Sequence, residues 1–101
     1  MLDKLFQAQQ KAEEIKKRLD TISVFGEAQN GLIKVTATAN KEIKEITIDP
    51  TFFSNAEREE LEEIMVVAIN KTLQQADQVS QTEMQAATKD MLGGLGGMFG
   101  S

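Results

Sequence analysis

Three cations near the start of this 101-residue chain, Lys4, Lys11 and Arg18, recur every seven residues. On an α-helix that spacing is close to two full turns, so the three stand in one row at steps of about 10 Å. Lys17 lies beside Arg18, and Lys16 lies on the other flank. Glu13, Glu14 and Asp20 fall on the remaining face. Residues 1–20 hold five cations against four acids, a net +1, yet they present a segregated basic edge. Such a row can track the phosphates of a nucleic-acid backbone. Charges flanking a heptad seam also serve solubility, or pair with glutamates of a partner helix.

No other cluster has the makings of a chemical site. The chain has no cysteine, histidine, tryptophan or tyrosine. That excludes disulfides, thiolate zinc ligation and thiol catalysis. Glu59-Glu60 and Glu62-Glu63 are adjacent pairs, and adjacent helical side chains diverge, so neither forms an acid–base dyad. Glu59 and Glu63 share a helical face, but without an imidazole nearby they do not suggest a metal site. Ser23, Ser54, Ser80 and Ser101 have no histidine to activate them and no nucleophile-elbow motif. The chain therefore reads as a non-enzyme with no cofactor, no metal and no small-molecule substrate.

The basic row requires a helix to carry it. Met1, Leu5, Ala8, Ala12, Ile15, Leu19 and Ile22 follow a 4-3-4-3-4-3 spacing, a heptad seam over residues 1–22. The seam predicts a helix packed along its own domain or against a partner helix. Residues 23–28 fit a short strand. Asn30-Gly31 then predicts a hairpin, because a type I′ turn needs positive φ at both central positions. In the next strand Ile33, Val35, Ala37 and Ala39 share one face, and Lys34, Thr36 and Thr38 share the other. Asn40-Lys41 marks a second turn. A third strand spans about residues 42–49, with Ile46 and Ile48 on one face. Ile43 has the opposite parity, so either a bulge sits near Lys44 or the apolar face begins only at Ile46. Pro50 ends that strand and holds Asp49 extended. Ser54-Asn55-Ala56-Glu57 fits a capping box, which predicts a second helix from Asn55 to about Lys89. Two apolar lines run along it: Leu61, Met65 and Ala68, and Val66, Ile69, Leu73 and Ala76, continued by Met84 and Ala87.

The length is that of one domain, placed at residues 1–90, and residues 91–101 form a glycine-rich tail expected to be flexible. The net charge is −5, and residues 56–90 account for it, with three cations against eight acids. An acidic chain is not a generic nucleic-acid binder, although a local basic edge remains available. No apolar run reaches membrane-span length, and the start lacks the apolar core of a signal peptide. These features point to a soluble cytoplasmic protein with no membrane partner.

Element lengths predict an assembly. Residues 55–89 would make a helix of about 52 Å, roughly twice the span of an eight-residue strand. Its far half still carries Leu73, Ala76, Val79 and Met84, and only the first helix is available to cover them. A homodimer joined across a two-fold axis through sheets or helix ends follows, with helices projecting as arms. The candidate packing and dimer residues are Ile33, Val35, Ala37, Ile46 and Ile48.

Two helices around a meander with Gly31-Leu32-Ile33-Lys34-Val35 in its central strand and Ile48-Asp49-Pro50 at its end resemble the YbaB/EbfC family of bacterial nucleoid-associated proteins. The opening Gln7-Ala8-Gln9-Gln10-Lys11-Ala12 is similar as well, and the resemblance covers roughly residues 3–90. It implies an α+β fold of α-β-β-β-α order, a three-stranded antiparallel meander flanked by two long helices, and a tweezer-like homodimer. It also implies duplex DNA as partner, bound with little sequence specificity in the nucleoid. The residues expected to make that contact are Lys4, Lys11, Lys16, Lys17 and Arg18. The remaining cations of the sheet, Lys34, Lys41 and Lys44, are a second location for it. The alternative function is a protein–protein adaptor that uses the coiled-coil-like helices and does not bind DNA.

Overall fold

A computed structural model describes residues 2–98, with side chains from Asp3 to Lys89. The element order is α1 (Leu2–Asp20), β1 (Ser23–Ala28), β2 (Ile33–Thr38), β3 (Ile43–Ile48), α2 (Pro50–Asn55) and α3 (Arg58–Met98). The strands form one antiparallel sheet in the order β1-β2-β3. This is the expected α+β meander between long helices, with one added helical turn before α3.

Each connection has a local cause. Between β1 and β2, Gln29, Asn30 and Gly31 all have positive φ, at 54°, 57° and 88°. The Leu32 N–H donates to the Gln29 carbonyl at 3.3 Å, closing the turn around Asn30-Gly31. Between β2 and β3, Lys41 takes φ 69° and its N–H donates to the Thr38 carbonyl at 2.9 Å. The parity conflict at Ile43 is resolved by a bulge. Thr36 pairs with Glu45 and Ala37 with Ile43, so Lys44 is the extra residue. The bulge brings Ile43, Ile46 and Ile48 to the face shared by Ala37, Val35 and Ile33.

The start of the second long helix differs from the expected one. Asp49 caps a separate short helix: its carboxylate accepts from the Phe52 N–H at 2.9 Å, and Pro50 stands in the first helical turn. Proline suits that position because its missing N–H is not needed there. Ser54 and Asn55 lie inside α2, where Ser54 Oγ donates to the Pro50 carbonyl and Asn55 Nδ2 to the Thr51 carbonyl. They are not the cap of α3. Ala56 is extended (φ −78°, ψ 147°), and α3 begins after it, with the Glu57 carbonyl accepting from Leu61 N–H at 3.0 Å. At the far end α3 runs to Met98, beyond the end expected near Lys89. Adding a residue to an existing helix requires no new nucleus, so the backbone continues through Gly93 and Gly94 despite their low propensity. The rest of the predicted tail, residues 99–101, lies outside the described residues.

The core lies between the sheet and α3. Ala28, Ile33, Val35, Ile64 and Ala68 form one buried cluster, closed at its end by Phe52 of α2. Val24, Ala37 and Ala76 form a second. The buried line of α3 is therefore Ile64, Ala68, Thr72 and Ala76. Thr72 is fully buried, and its hydroxyl donates to the Ala68 carbonyl at 2.8 Å. α3 sits over β1 and β2 and leaves β3 largely bare, so Ile43 and Ile46 remain 37% and 40% exposed. Among the described residues, α1 meets α3 through its C-terminal half, around Ile15 and Arg18, and Leu19 there is buried. The molecule is elongated, 65 × 27 × 18 Å, with a radius of gyration of 19.4 Å. A compact chain of this length would have about 13 Å.

Gly26 of β1 sets how closely α3 seats. A Cβ there would collide with Thr72 Oγ1, lie 2.6 Å from the Thr72 backbone nitrogen and 3.0 Å from the Ala68 carbonyl oxygen. Two of those atoms are backbone and cannot rotate away. Gly26→Ala is expected to cost about 1–3 kcal/mol through overpacking. Urea unfolding measures it, and an unchanged midpoint would show that α3 is not seated this tightly.

Candidate nucleic-acid interface

All five candidate cations lie on α1, which projects from the sheet as an arm. Residues 3–10 of α1 are exposed throughout, including Leu5 at 65% and Phe6 at 62%. Lys4, Lys16 and Lys17 are exposed, and Lys11 is half-buried. The row Lys4, Lys11, Arg18 is thus real as a spacing, and it spans about 21 Å. It does not face open solvent along its whole length. Lys11 and Arg18 line a narrow groove between α1 and α3 with Glu14, Ile15, Glu83, Ala86 and Ala87. Glu14 is thus not on the remaining face as expected: three residues after Lys11 and four before Arg18, it stands within the row and offsets part of its charge.

Within that groove the Arg18 Nε approaches Glu83 Oε2 at 3.1 Å, with side chains 70% and 21% exposed. Arg18 is therefore shared between the row and α3. Glu83 went unnoticed in the sequence because its role depends on which turn of α3 passes α1, and no local signal carries that. Lys17 and Arg18 also occupy the last turn of α1, where cations complement the helix dipole. Lys16 contributes its backbone: its carbonyl accepts from Asn40 Nδ2 at 2.8 Å. The same amide reaches the Asp20 carboxylate. Asn40, in the β2–β3 turn, thereby ties the root of the arm to the sheet.

The sheet cations divide in two. Lys41 pairs with Asp77 of α3, and Lys44 with Glu42 at 3.1 Å. Lys34 has no carboxylate partner among the described residues. Of the candidate packing residues, Ile33, Val35 and Ala37 are buried inside the chain's own core. Ile46 is on the bare part of the sheet, and Ile48 is half-buried beside it. Among the described residues no group of acidic or imidazole side chains is placed to hold a metal ion, and no helix is long and apolar enough to cross a membrane.

Comparison with known proteins adds to this geometry. Residues 1–91 match the YbaB/EbfC DNA-binding family. A nucleoid-associated protein of Flavobacterium johnsoniae is 38% identical over 98 residues, covering 97% of this chain and 91% of its own. A nucleoid-associated protein of Psychrobacter arcticus is 39% identical over 89 residues, covering 86% and 81%. The crystal structure of an uncharacterized protein from Helicobacter pylori has the same fold, with a TM-score of 0.65 at 12% identity over 77% of this chain and 90% of that one.

The Arg18–Glu83 pair gives a direct check on the row. With the Arg18 side chain 70% exposed to solvent screening, the pair adds about 1 kcal/mol or less to stability. Glu83→Gln should therefore leave the melting temperature nearly unchanged, release Arg18 and remove a repelling carboxylate. If α1 contacts phosphates, duplex DNA binding by this variant tightens severalfold in a fluorescence-anisotropy titration. Unchanged or weaker binding would place the contact away from this groove.

Proposed function

The chain belongs to the YbaB/EbfC DNA-binding family, and we propose that it acts as a homodimeric nucleoid-associated protein that holds duplex DNA through the cations of its α1 arms. The observation that carries this reading is the basic row on an arm standing clear of the sheet. Phosphate contacts position a protein on DNA without reading sequence. The row offers ammonium and guanidinium groups on a helix, with no side chain committed to base edges. Little sequence specificity follows. The cytoplasmic nucleoid is the matching location, and the similarity to nucleoid-associated proteins supports it.

The homodimer rests on uncovered apolar surface. Ile43 and Ile46 of the sheet are exposed, and helical spacing puts Val66, Ile69 and Leu73 on the flank of α3 opposite Lys71, Gln75 and Gln78 at the β1 edge, hence toward β3. Val66 is 56% exposed, and Ile69 and Leu73 are only half-buried. Together they form an apolar corner open on one side, which a second copy of the same corner covers across a two-fold axis. Two arms then stand on one body and double the cations available to phosphates. Affinity is modest, because the acidic α3 helices repel the same backbone.

A protein–protein adaptor without DNA binding is the second reading. It draws on the exposed seam residues Leu5, Ala8 and Ala12 of α1, which invite a partner helix.

Two expected outcomes separate these readings. Sedimentation equilibrium at micromolar concentration should give about twice the 11.2 kDa chain mass. Ile46→Asp should return the monomer, and a parent that sediments as a monomer would defeat the dimer. The triple change Lys4→Glu, Lys11→Glu, Arg18→Gln should abolish duplex DNA binding while circular dichroism and dimer mass stay as in the parent. Arg18 is changed to Gln so that Glu83 does not meet a second carboxylate. A folded triple variant that binds DNA like the parent would assign the contact elsewhere.

A further inference from the structure

α3 has two flanks beside the sheet, and they differ in chemistry. The flank toward β3 is apolar. The flank toward β1 carries Lys71, Gln74, Gln75 and Gln78, spaced i, i+3, i+4 and i+7. That spacing puts them on one helical stripe, the spacing at which a helix facing a sheet is ordinarily apolar. Here the stripe walls an open groove of about 700 Å³. Phe25 and Gly26 of β1 and Lys34 and Thr36 of β2 line the sheet side.

The lining has the composition of a nucleic-acid strand site. Lys71 stands on α3 and Lys34 on the face of the sheet turned away from α3, where Glu27 is its cross-strand neighbour; neither makes an ion pair among the described residues. Glu27 is the one acid in the lining, so the groove is locally positive in a chain of net charge −5. The three glutamine amides each offer donors and an acceptor, and none makes a hydrogen bond to another described residue. Phe25 is 66% exposed on an edge strand. An exposed aromatic with cations in the same lining is the combination on which an unstacked base rests while its phosphates are neutralised. A duplex cannot offer that base, because its bases are stacked and paired.

We infer that the groove across β1 binds a single nucleic-acid strand, with Lys34 and Lys71 on its phosphates, Phe25 under a base and the Gln74, Gln75 and Gln78 amides on base edges. The site is separate from the α1 row and does not depend on the proposal made for that row. Sequence preference is weak, since every base has a π-face and the amides can turn.

The test uses the full chain and a fluorescein-labelled thymidine oligonucleotide on the order of 10 nucleotides long, which cannot pair with itself. The parent should bind it saturably at low salt. Phe25→Ala and the double change Lys34→Ala, Lys71→Ala should each weaken it by about tenfold or more. Phe25→Ala should leave duplex DNA binding within about twofold. Gln75→Glu with Gln78→Glu changes only the exposed helix wall and should weaken it similarly, which guards against a fold defect in the sheet variants. The α1 triple variant should keep oligonucleotide binding, so failure of the row and failure of the groove are distinguishable. Absence of saturable oligonucleotide binding, or binding unchanged in the folded groove variants, would overturn the inference. Loss of the dimer in Phe25→Ala would also overturn it, by showing that a second copy fills the groove.

Discussion

The approach of α3 to β1 at Gly26 is the constraint on which the rest of the molecule depends. With no side chain at that position, the Thr72 backbone comes close enough that a methyl group would have no room. A helix held that near one edge of a three-stranded sheet cannot also cover the other edge. Ala68, Thr72 and Ala76 are the small or short residues that permit the fit, and their burial follows from it. Thr72 can be buried because its hydroxyl bonds to the carbonyl one turn earlier and leaves no polar atom unpaired.

The consequences run outward from that contact. Off-centre seating leaves Ile43 and Ile46 bare, so part of the sheet's apolar face is uncovered within one chain. It also places the glutamine-rich flank of α3 along the β1 edge. Because α3 is 41 residues long and the strands are six, the helix continues far past the sheet. α1 runs back alongside it in the antiparallel sense, and the Arg18–Glu83 pair and the Asn40 bonds hold its root. In its N-terminal half, residues 3–10 are exposed. An arm with a basic edge is thus the by-product of a small sheet carrying a long helix.

Much of this was legible in the residues. Asn30-Gly31 announced its turn because positive φ is a local demand. The bulge at Lys44 was legible as a conflict between the parity of Ile43 and that of Ile46 and Ile48. The helix at Pro50 was missed although Asp49-Pro50 carries both a cap and a first-turn proline, because the same proline also explains the end of a strand. Ser54 through Glu57 imitate a capping box, but Ser54 and Asn55 belong to α2 and not to the start of α3. The buried line of α3 was only partly legible: Thr72 is polar, and Gly26 gives no sign of what approaches it. At the candidate interface, the spacing of Lys4, Lys11 and Arg18 was plain. Which way the row turns was not, since that depends on the packing of α1 against α3. Glu83, Lys71 and the glutamines join their sites through the same packing and carry no motif of their own.

The central claim is that duplex DNA is held by phosphate contacts from the paired arms of a dimer. It is tested most directly by the salt dependence of duplex binding by the unmodified protein. Each neutralised phosphate contributes about −0.9 to the slope of log K against log salt. Two arms with Lys4, Lys11, Lys16 and Lys17, and Arg18 held by Glu83, predict about four to eight contacts, hence a slope of about −4 to −7. Binding that is insensitive to salt, or no binding at the lowest salt at which the dimer stays soluble, would contradict the account.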